Sequence, residues 1–378
     1  MKLIVDENIP FGSEAFSSFG EVKLLNGRGI TNQVCRDADV LIVRSITDVN
    51  EKLLTGTNIK FVGSATTGDD HMDKKYLEER NIYYYIAAGC NAYSVVEYVF
   101  AAVTYLAIKK GFSFEGKKLG IIGVGKIGSR IAKIAKALGF EIIMNDPPLQ
   151  RETGSDEYRS LEEALTADII TCHVPLNKTG IDKTYHLIDK EILSMISSGK
   201  ILINSSRGPV ISNNALKKRI ESKNDLTVVL DVWENEPGID KELLKLIDIG
   251  SAHVAGYSLE GKVNGTTMVY NELCRFLNTA SKWRPEYPSI ENPNIKIELA
   301  ESIEEVLQNI FSHTYRILDD DKALRTGLQK DINDWPKHFD YLRKNYTVRR
   351  ELNNYIVKLI NPKIKIAGEF NALRLNVV

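Results

Sequence analysis

Arg207, Glu236 and His253 carry the three side chains needed to take a proton from a hydroxyl that sits beside a carboxylate. An imidazole titrates near neutral pH and can accept that proton. A carboxylate bonded to the far ring nitrogen sets the tautomer and stabilises the imidazolium. A guanidinium grips a carboxylate through two parallel hydrogen bonds and polarises the oxygen that becomes a carbonyl. Arg207 lies in NSSRGPV (204–210), Glu236 in DVWENEP (231–237) and His253 in IGSAHVAGY (249–257). Singly, each has an ordinary explanation: an ion-paired arginine, a solvated glutamate before a proline, a hydrogen-bonded histidine among small residues. Together, each after a predicted strand of one sheet, they point to chemistry.

A place for a dinucleotide precedes them. Gly123-Val124-Gly125-Lys126-Ile127-Gly128 reads GxGxxG between the apolar strand LGII and the helix former SRIAKIAKALG. The first glycine permits a tight turn, the second lets backbone approach a pyrophosphate, and the third lets helix and strand pack closely. Lys126 and Ile127 supply backbone there, and the helix N-terminus faces the phosphates. Asp146 ends EIIMND about 20 residues on, where a carboxylate accepts from both ribose hydroxyls and repels a 2′-phosphate. NAD is therefore expected over NADP. A dinucleotide and a proton acceptor in one chain imply hydride transfer.

The elements that must position these residues follow the pattern of an α/β protein. Apolar runs at Lys2–Val5, Val40–Val43 and Lys60–Gly63 alternate with helix-like segments and form a first unit, residues 1 to about 90. A buried helix is expected over Ser94–Lys110. A doubly wound sheet follows, with strands at Lys118–Gly123, Glu141–Asn145, Ile169–Cys172, Ile201–Asn204 and Thr227–Asp231. A helix at Thr266–Leu277 leads into RPEYPSIENPN, whose three prolines mark a linker. Beyond residue 286 a small α+β lobe is expected. Ile303, Val306, Leu307, Ile310 and Phe311 share a helical face, Leu352–Ile360 reads as helical, and IKIAGEF reads as a strand.

Composition narrows the class. The 378 residues are 43% hydrophobic and 26% charged with a net charge of −1, so no basic surface argues for nucleic acid or membrane. Four cysteines without a CxxC pair suit a reducing compartment. Asp6 and Glu7 interrupt any apolar leader, and Val95–Ile108 contains Glu97 and falls short of a bilayer span. A cytoplasmic protein is expected. His71 could cap a helix, His173 could line the cofactor site without reacting, and His186, His313 and His338 read as structural or exposed. No spacing suggests a metal site, and Asp69, Asp70 and Asp73 read as helix caps.

VDENIP, LIVRSIT, SATTGDDHMD, GVGKIG, NDPP, INSSRG, LDVWENEP and AHVAGYSLEGKVNGTT, spread along nearly the whole chain, resemble the D-2-hydroxyacid dehydrogenase family. The resemblance implies a Rossmann-type NAD domain (94–256), a flavodoxin-like substrate domain made of 1–93 and 257–285, and a dimerisation domain (286–378), hence a homodimer. It implies Arg207, Glu236 and His253 as active-site residues and Asp146, Asp231 and Gly256 as NAD contacts. Val174, where the family often has threonine, would contribute backbone alone. Ser45, Thr66 and Tyr257 would contact a small phosphorylated 2-hydroxy acid. Within the family, action on 3-phosphoglycerate stays open. Outside enzymes, an NAD-sensing interaction protein stays open, since a fold does not by itself fix a function.

Overall fold

Runs such as VLIV (40–43) and TVVL (227–230) are buried along their whole length, as strands covered on both faces must be. The computed structural model describes residues 1–329, 334–361 and 369–378. They form two units, Met1–Ala92 with Tyr257–Ser289 and Tyr93–Gly256 with Ile290–Val378.

The first unit is built on five strands: β1 (Lys2–Asp6), β2 (Glu21–Leu25), β3 (Val40–Val43), β4 (Phe61–Ser64) and β5 (Tyr83–Ile86). They pair in the order β2-β1-β3-β4-β5, all parallel, which is the flavodoxin-like arrangement. The helix Leu259–Phe276 returns to this sheet. Its Val269, Tyr270, Leu273 and Cys274 join a core with Leu3, Val5 and Phe61. It begins seven residues before the expected Thr266, because Ser258 caps it by accepting from Gly261 N–H at 2.8 Å.

The second unit has a six-stranded sheet of β6 (Lys118–Ile122), β7 (Glu141–Asn145), β8 (Ile169–Cys172), β9 (Ile201–Asn204), β10 (Thr227–Leu230) and β11 (Ile249–Gly250). Their order is β11-β10-β9-β8-β6-β7, all parallel. A single parallel bridge from Met144 to Tyr158 stands where a Rossmann sheet has its next strand. The two-residue β11 is the strand before His253, for which the residue pattern sets no bounds. The buried helix is Ala92–Lys110, two residues longer at its start than expected. At 19 residues it is long and apolar enough to cross a membrane, contrary to the expected shortfall, and 78% of its apolar window is buried inside the protein.

Residues Ile290–Val378 belong to this same unit. Their sheet, β12 (Asn294–Glu298), β13 (Ile356–Ile360) and β14 (Asn376–Val377), is parallel throughout, with β13 in the middle. The helix Ile303–Thr314 buries Val306, Leu307, Ile310 and Phe311. The helix expected over Leu352–Ile360 is instead a 3₁₀ turn (Leu352–Asn354) followed by β13. Exposed Ile356 and Lys358 alternate there with buried Val357 and half-buried Leu359, a period of two. The strand expected at IKIAGEF falls mostly on 364–368, outside the described residues, and Glu369 opens a short helix, Glu369–Ala372.

Candidate active site

Because β6 to β11 are parallel, the residues that follow them share one edge of the sheet. Gly123 follows β6, Asp146 β7, His173 and Val174 β8, Arg207 β9, Asp231 β10 and His253 β11. Ligands of open parallel sheets bind at that carboxyl edge, near the point where strand order reverses, here between β6 and β8.

The glycine turn fits a dinucleotide. Gly123 has φ of +89°, and a side chain there would meet His173 backbone and Val174 Cγ1 at 2.8 Å. A side chain at Gly128 would meet Gly123 O at 2.0 Å, so this glycine holds the helix Gly128–Ala137 against the strand. A side chain at Gly125 would meet nothing within 4 Å, which leaves backbone open to a ligand. The helix opens at Ile127 without a side-chain cap. Lys126 is exposed, and its carbonyl accepts from Arg130 Nη1. Asp146 takes Val124 N–H at 2.7 Å on one oxygen and Leu149 N–H at 3.0 Å on the other, which fixes the carboxylate beside the turn. Half-buried His173 bonds Thr171 Oγ1 at 2.8 Å through Nε2, while its buried Nδ1 has no protein partner among the described residues. Burial drives its pKa down to about 3, so the ring is neutral at pH 7.

A chain of short contacts joins the turn carrying Arg207 to His253. Buried Asn204 donates to Arg207 O (2.9 Å) and accepts from Ser206 N–H (3.1 Å) and Ser206 Oγ (2.8 Å), shaping the turn that follows β9. A side chain at Gly208 would meet Trp233 O at 1.9 Å, so this turn lies directly on the DVWENEP segment. Arg207 Nη1 donates to Ser206 O at 2.8 Å. Trp233 N–H donates to Glu236 Oε1 at 2.8 Å, and Glu236 Oε2 lies 2.7 Å from His253 Nδ1. With Nδ1 donating to the carboxylate, Nε2 on the opposite side of the ring is left as the basic nitrogen. Burial pushes the Glu236 carboxyl pKa up, but the His253 charge and hydrogen bond, the Arg343 guanidinium and Trp233 N–H outweigh it and leave it below 4.5. The group is therefore an ionised partner for the ring at neutral pH.

Buried Asp231 accepts from Ser251 Oγ (2.6 Å), Val254 N–H (2.8 Å) and Ala255 N–H (3.1 Å), so its carboxylate organises the loop that carries His253. Gly256 ends the same loop and the first segment of this unit. A second pair, His186 Nε2 with Glu234 Oε1 at 2.5 Å, stands two residues from Glu236 in sequence, and Glu234 Oε2 also accepts from Asn213 N–H at 2.9 Å.

Ser45, Thr66 and Tyr257 lie in the first unit. Ser45 is exposed after β3, and Thr66 Oγ1 lies 3.0 Å from Ser64 Oγ after β4. Tyr257 OH accepts from Arg44 Nη2 at 3.3 Å, and Lys262 Nζ stands 4.2 Å from the centre of its ring. Arg44 and Lys262 are cations that sequence reasoning did not single out; the signal for Arg44 was its place beside Ser45 in LIVRSIT. His71, expected as a cap, instead bonds Ser64 Oγ at 3.0 Å. Asp73 caps the helix Lys74–Glu79 by accepting from Tyr76 N–H at 3.1 Å, while Asp69 pairs with Lys74 at 2.8 Å.

Comparison with known proteins agrees with this construction. Residues 104–255 match the family described as D-isomer specific 2-hydroxyacid dehydrogenase, NAD binding domain, and residues 288–373 match a domain of unknown function (DUF3410). Similar folds include NAD⁺-bound 3-phosphoglycerate dehydrogenase of Entamoeba histolytica, with a TM-score of 0.63 and 22% identity over 76% of this chain and 99% of that one. D-lactate dehydrogenase of Aquifex aeolicus, complexed with NAD and lactic acid, gives a TM-score of 0.62 and 24% identity over 74% and 96%. The chain belongs to the D-isomer specific 2-hydroxyacid dehydrogenases, and it is an NAD-dependent dehydrogenase. Within that family it is 44% identical to the erythronate-4-phosphate dehydrogenase of Cronobacter sakazakii over 367 residues, 95% of this chain and 94% of that one. It is 42% identical to the Proteus mirabilis enzyme of the same name, over 100% and 99%.

Proposed function

We propose that the chain oxidises the C2 hydroxyl of 4-phospho-D-erythronate to (R)-3-hydroxy-2-oxo-4-phosphonooxybutanoate, in a route to pyridoxine 5′-phosphate. The chemistry rests on the 2.7 Å contact between His253 Nδ1 and Glu236 Oε2 at the carboxyl edge of a dinucleotide-binding sheet. The substrate rests on identity to erythronate-4-phosphate dehydrogenases that runs through the terminal lobe. Gly123, Gly125, Lys126, Ile127, Gly128 and the backbone of Val174 would hold NAD, with Asp146 on the ribose and Asp231 and Gly256 close by. NAD, when bound, supplies the acceptor for the hydrogen on C2. His253 Nε2 takes the hydroxyl proton as the carbonyl forms. Glu236 stabilises the resulting imidazolium. Arg207 binds the substrate carboxylate and polarises the C2 oxygen.

Ser45, Thr66 and Tyr257 are assigned to the polyol and phosphate end, and Arg44 becomes the cation for the phosphate. A charge-assisted hydrogen bond of about 1.5–3 kcal/mol would make Arg44→Ala raise KM roughly 10- to 100-fold with kcat nearly kept. The domain reading is substrate binding for 1–93 with 257–285, NAD binding for 94–256 and dimerisation for 286–378. Assembly as a homodimer is tested by sedimentation of the full chain. Four buried free thiols support action in the reducing cytoplasm.

The deciding experiment is a panel of 2-hydroxy acids followed by NADH formation. Turnover of 4-phospho-D-erythronate with the highest kcat/KM is expected. A higher value for 3-phosphoglycerate would replace the substrate assignment, and no turnover of any member would favour an NAD-sensing interaction protein.

A further inference from the structure

The loop that carries His253 is gripped from two sides. Its own sheet holds it through Asp231, which accepts from Ser251, Val254 and Ala255. The terminal lobe holds it at both ends. Where the loop begins, Gly250 N–H donates to Asp321 at 2.7 Å. Arg325 pairs with that carboxylate at 2.8 Å and donates to Leu244 O (2.6 Å) and Ile247 O (2.9 Å), just upstream. Where the loop ends, buried Arg349 donates through Nη2 to Ala255 O at 2.7 Å. The same nitrogen reaches Ser94 O at 3.0 Å and also Ser94 Oγ. Ser94 Oγ in turn donates to Ala255 O at 2.9 Å.

Arg349 is itself locked in place. Its guanidinium lies 4.2 Å from the centre of the Tyr315 ring. Asp320, which accepts from Tyr315 OH (2.7 Å) and Tyr346 OH (2.9 Å), supplies a nearby negative charge. Between the two anchors, His253 has φ of +56°. A non-glycine residue keeps a left-handed conformation where its surroundings over-determine it. Ala255 is two residues past His253, so a shift of its carbonyl passes directly to the imidazole.

We propose that Arg349 is a positioning residue for the acid–base histidine: by anchoring the Ala255 carbonyl it holds the Gly250–Ala255 loop in the shape that sets His253 Nδ1 against Glu236. The terminal lobe is then part of the active centre of its own chain, in addition to any role in assembly. This rests on the reading of His253 as the proton acceptor. Misplacing a reacting group by about 1 Å costs on the order of 10²-fold in rate, which sets the size of the effect.

The test uses the full-length protein with Arg349→Met and Arg349→Lys. It reads kcat and KM for 4-phospho-D-erythronate and NAD binding by quenching of protein fluorescence. For Arg349→Met, kcat should fall about 10- to 100-fold, while KM and the Kd for NAD move less than about threefold. Arg349→Lys should recover part of the rate. Asp321→Ala cuts the other anchor and keeps the test alive if Arg349→Met does not fold; about a fivefold loss of kcat at nearly constant KM is expected. A folded Arg349→Met or Asp321→Ala protein with unchanged kcat overturns the proposal. So does a loss of NAD affinity that parallels the loss of kcat, since that would make the role merely structural. If His253→Ala turns over like the parent, the premise fails first, and that result is separate from anything Arg349 does.

Discussion

Replacing Glu236 by glutamine keeps the shape of the side chain and removes one acceptor. In the parent, Oε1 accepts from Trp233 N–H at 2.8 Å and Oε2 from His253 Nδ1 at 2.7 Å. An amide has one oxygen for those two donors. If the oxygen stays on Trp233, the NH₂ faces Nδ1 and selects the tautomer protonated at Nε2, which cannot take the substrate proton. If it turns to Nδ1, Trp233 N–H faces a donor. The lost charge can be sized as well. Opposite unit charges about 4 Å apart attract by about 4 kcal/mol at an effective dielectric near 20. The ring keeps 32% of its surface exposed and the carboxyl side chain 19%, so water screens part of this. About 3 kcal/mol remains, or roughly 10²-fold in kcat, and the wrong tautomer extends the expected loss toward 10⁴-fold.

The assay is NADH formation against pH for the two proteins, with thermal melts as a check on folding. The carboxylate orients the ring and offsets its positive charge as the proton arrives, so the loss of kcat should persist across the whole pH range assayed. Stability has its own sign. The folded pKa of Glu236 lies below 4.5, so its ionised form contributes stability that is present above that value and lost as pH falls through the folded one. The parent should therefore lose more stability than Glu236→Gln on acidification below about pH 4.5. A folded Glu236→Gln enzyme with kcat within about threefold of the parent would refute the assignment of this carboxylate.

His253→Ala should abolish most turnover with little change in NAD binding, whereas His186→Ala, which breaks the other histidine–glutamate contact, should leave kcat within about tenfold; the reverse ranking in steady-state kinetics would move the acid–base role to His186. Asp146→Ala should relax the preference for NAD over NADP, and an unchanged ratio of kcat/KM for the two would remove the ribose role. Gly128→Ala, which drives a methyl into Gly123 O at 2.0 Å, should lower the melting temperature, while Gly125→Ala, with open space around it, should weaken NAD binding at nearly constant stability; calorimetric melts and NAD titration separate the two, and equal melts would contradict the packing argument.

Much of the scaffold could be read before folding was considered. β3, β8 and β9 lie where apolar runs placed them, because a strand buried on both faces has little freedom of composition. The GxGxxG turn is equally plain, since its three glycines answer to local backbone geometry. Elements whose form depends on partners were harder. β11 has two residues and exists through its pairing with β10. β13 was mistaken for a helix because its mixed apolar and polar residues match both periods until β12 and β14 flank it. Among candidate site residues, Asn204 and Arg44 gave weak local signals, and Arg349 gave none.

Residue type and local period belong to neighbouring positions, so the linear chain already carried most strands of the two larger sheets, the dinucleotide turn and the three kinds of side chain that acid–base work requires. Pairing across distance belongs to the folded state. Glu234 and Glu236 stand two residues apart, and His186 and His253 are both available to them. The sequence contexts pointed to Glu236 for His253, but they gave no partner for His186 and no distance for either pair. Folding sets His253 Nδ1 2.7 Å from Glu236 and His186 Nε2 2.5 Å from Glu234. It also brings Arg349 to the carbonyl of Ala255, 94 positions earlier, because a hydrogen bond depends on a separation in space that sequence distance does not encode.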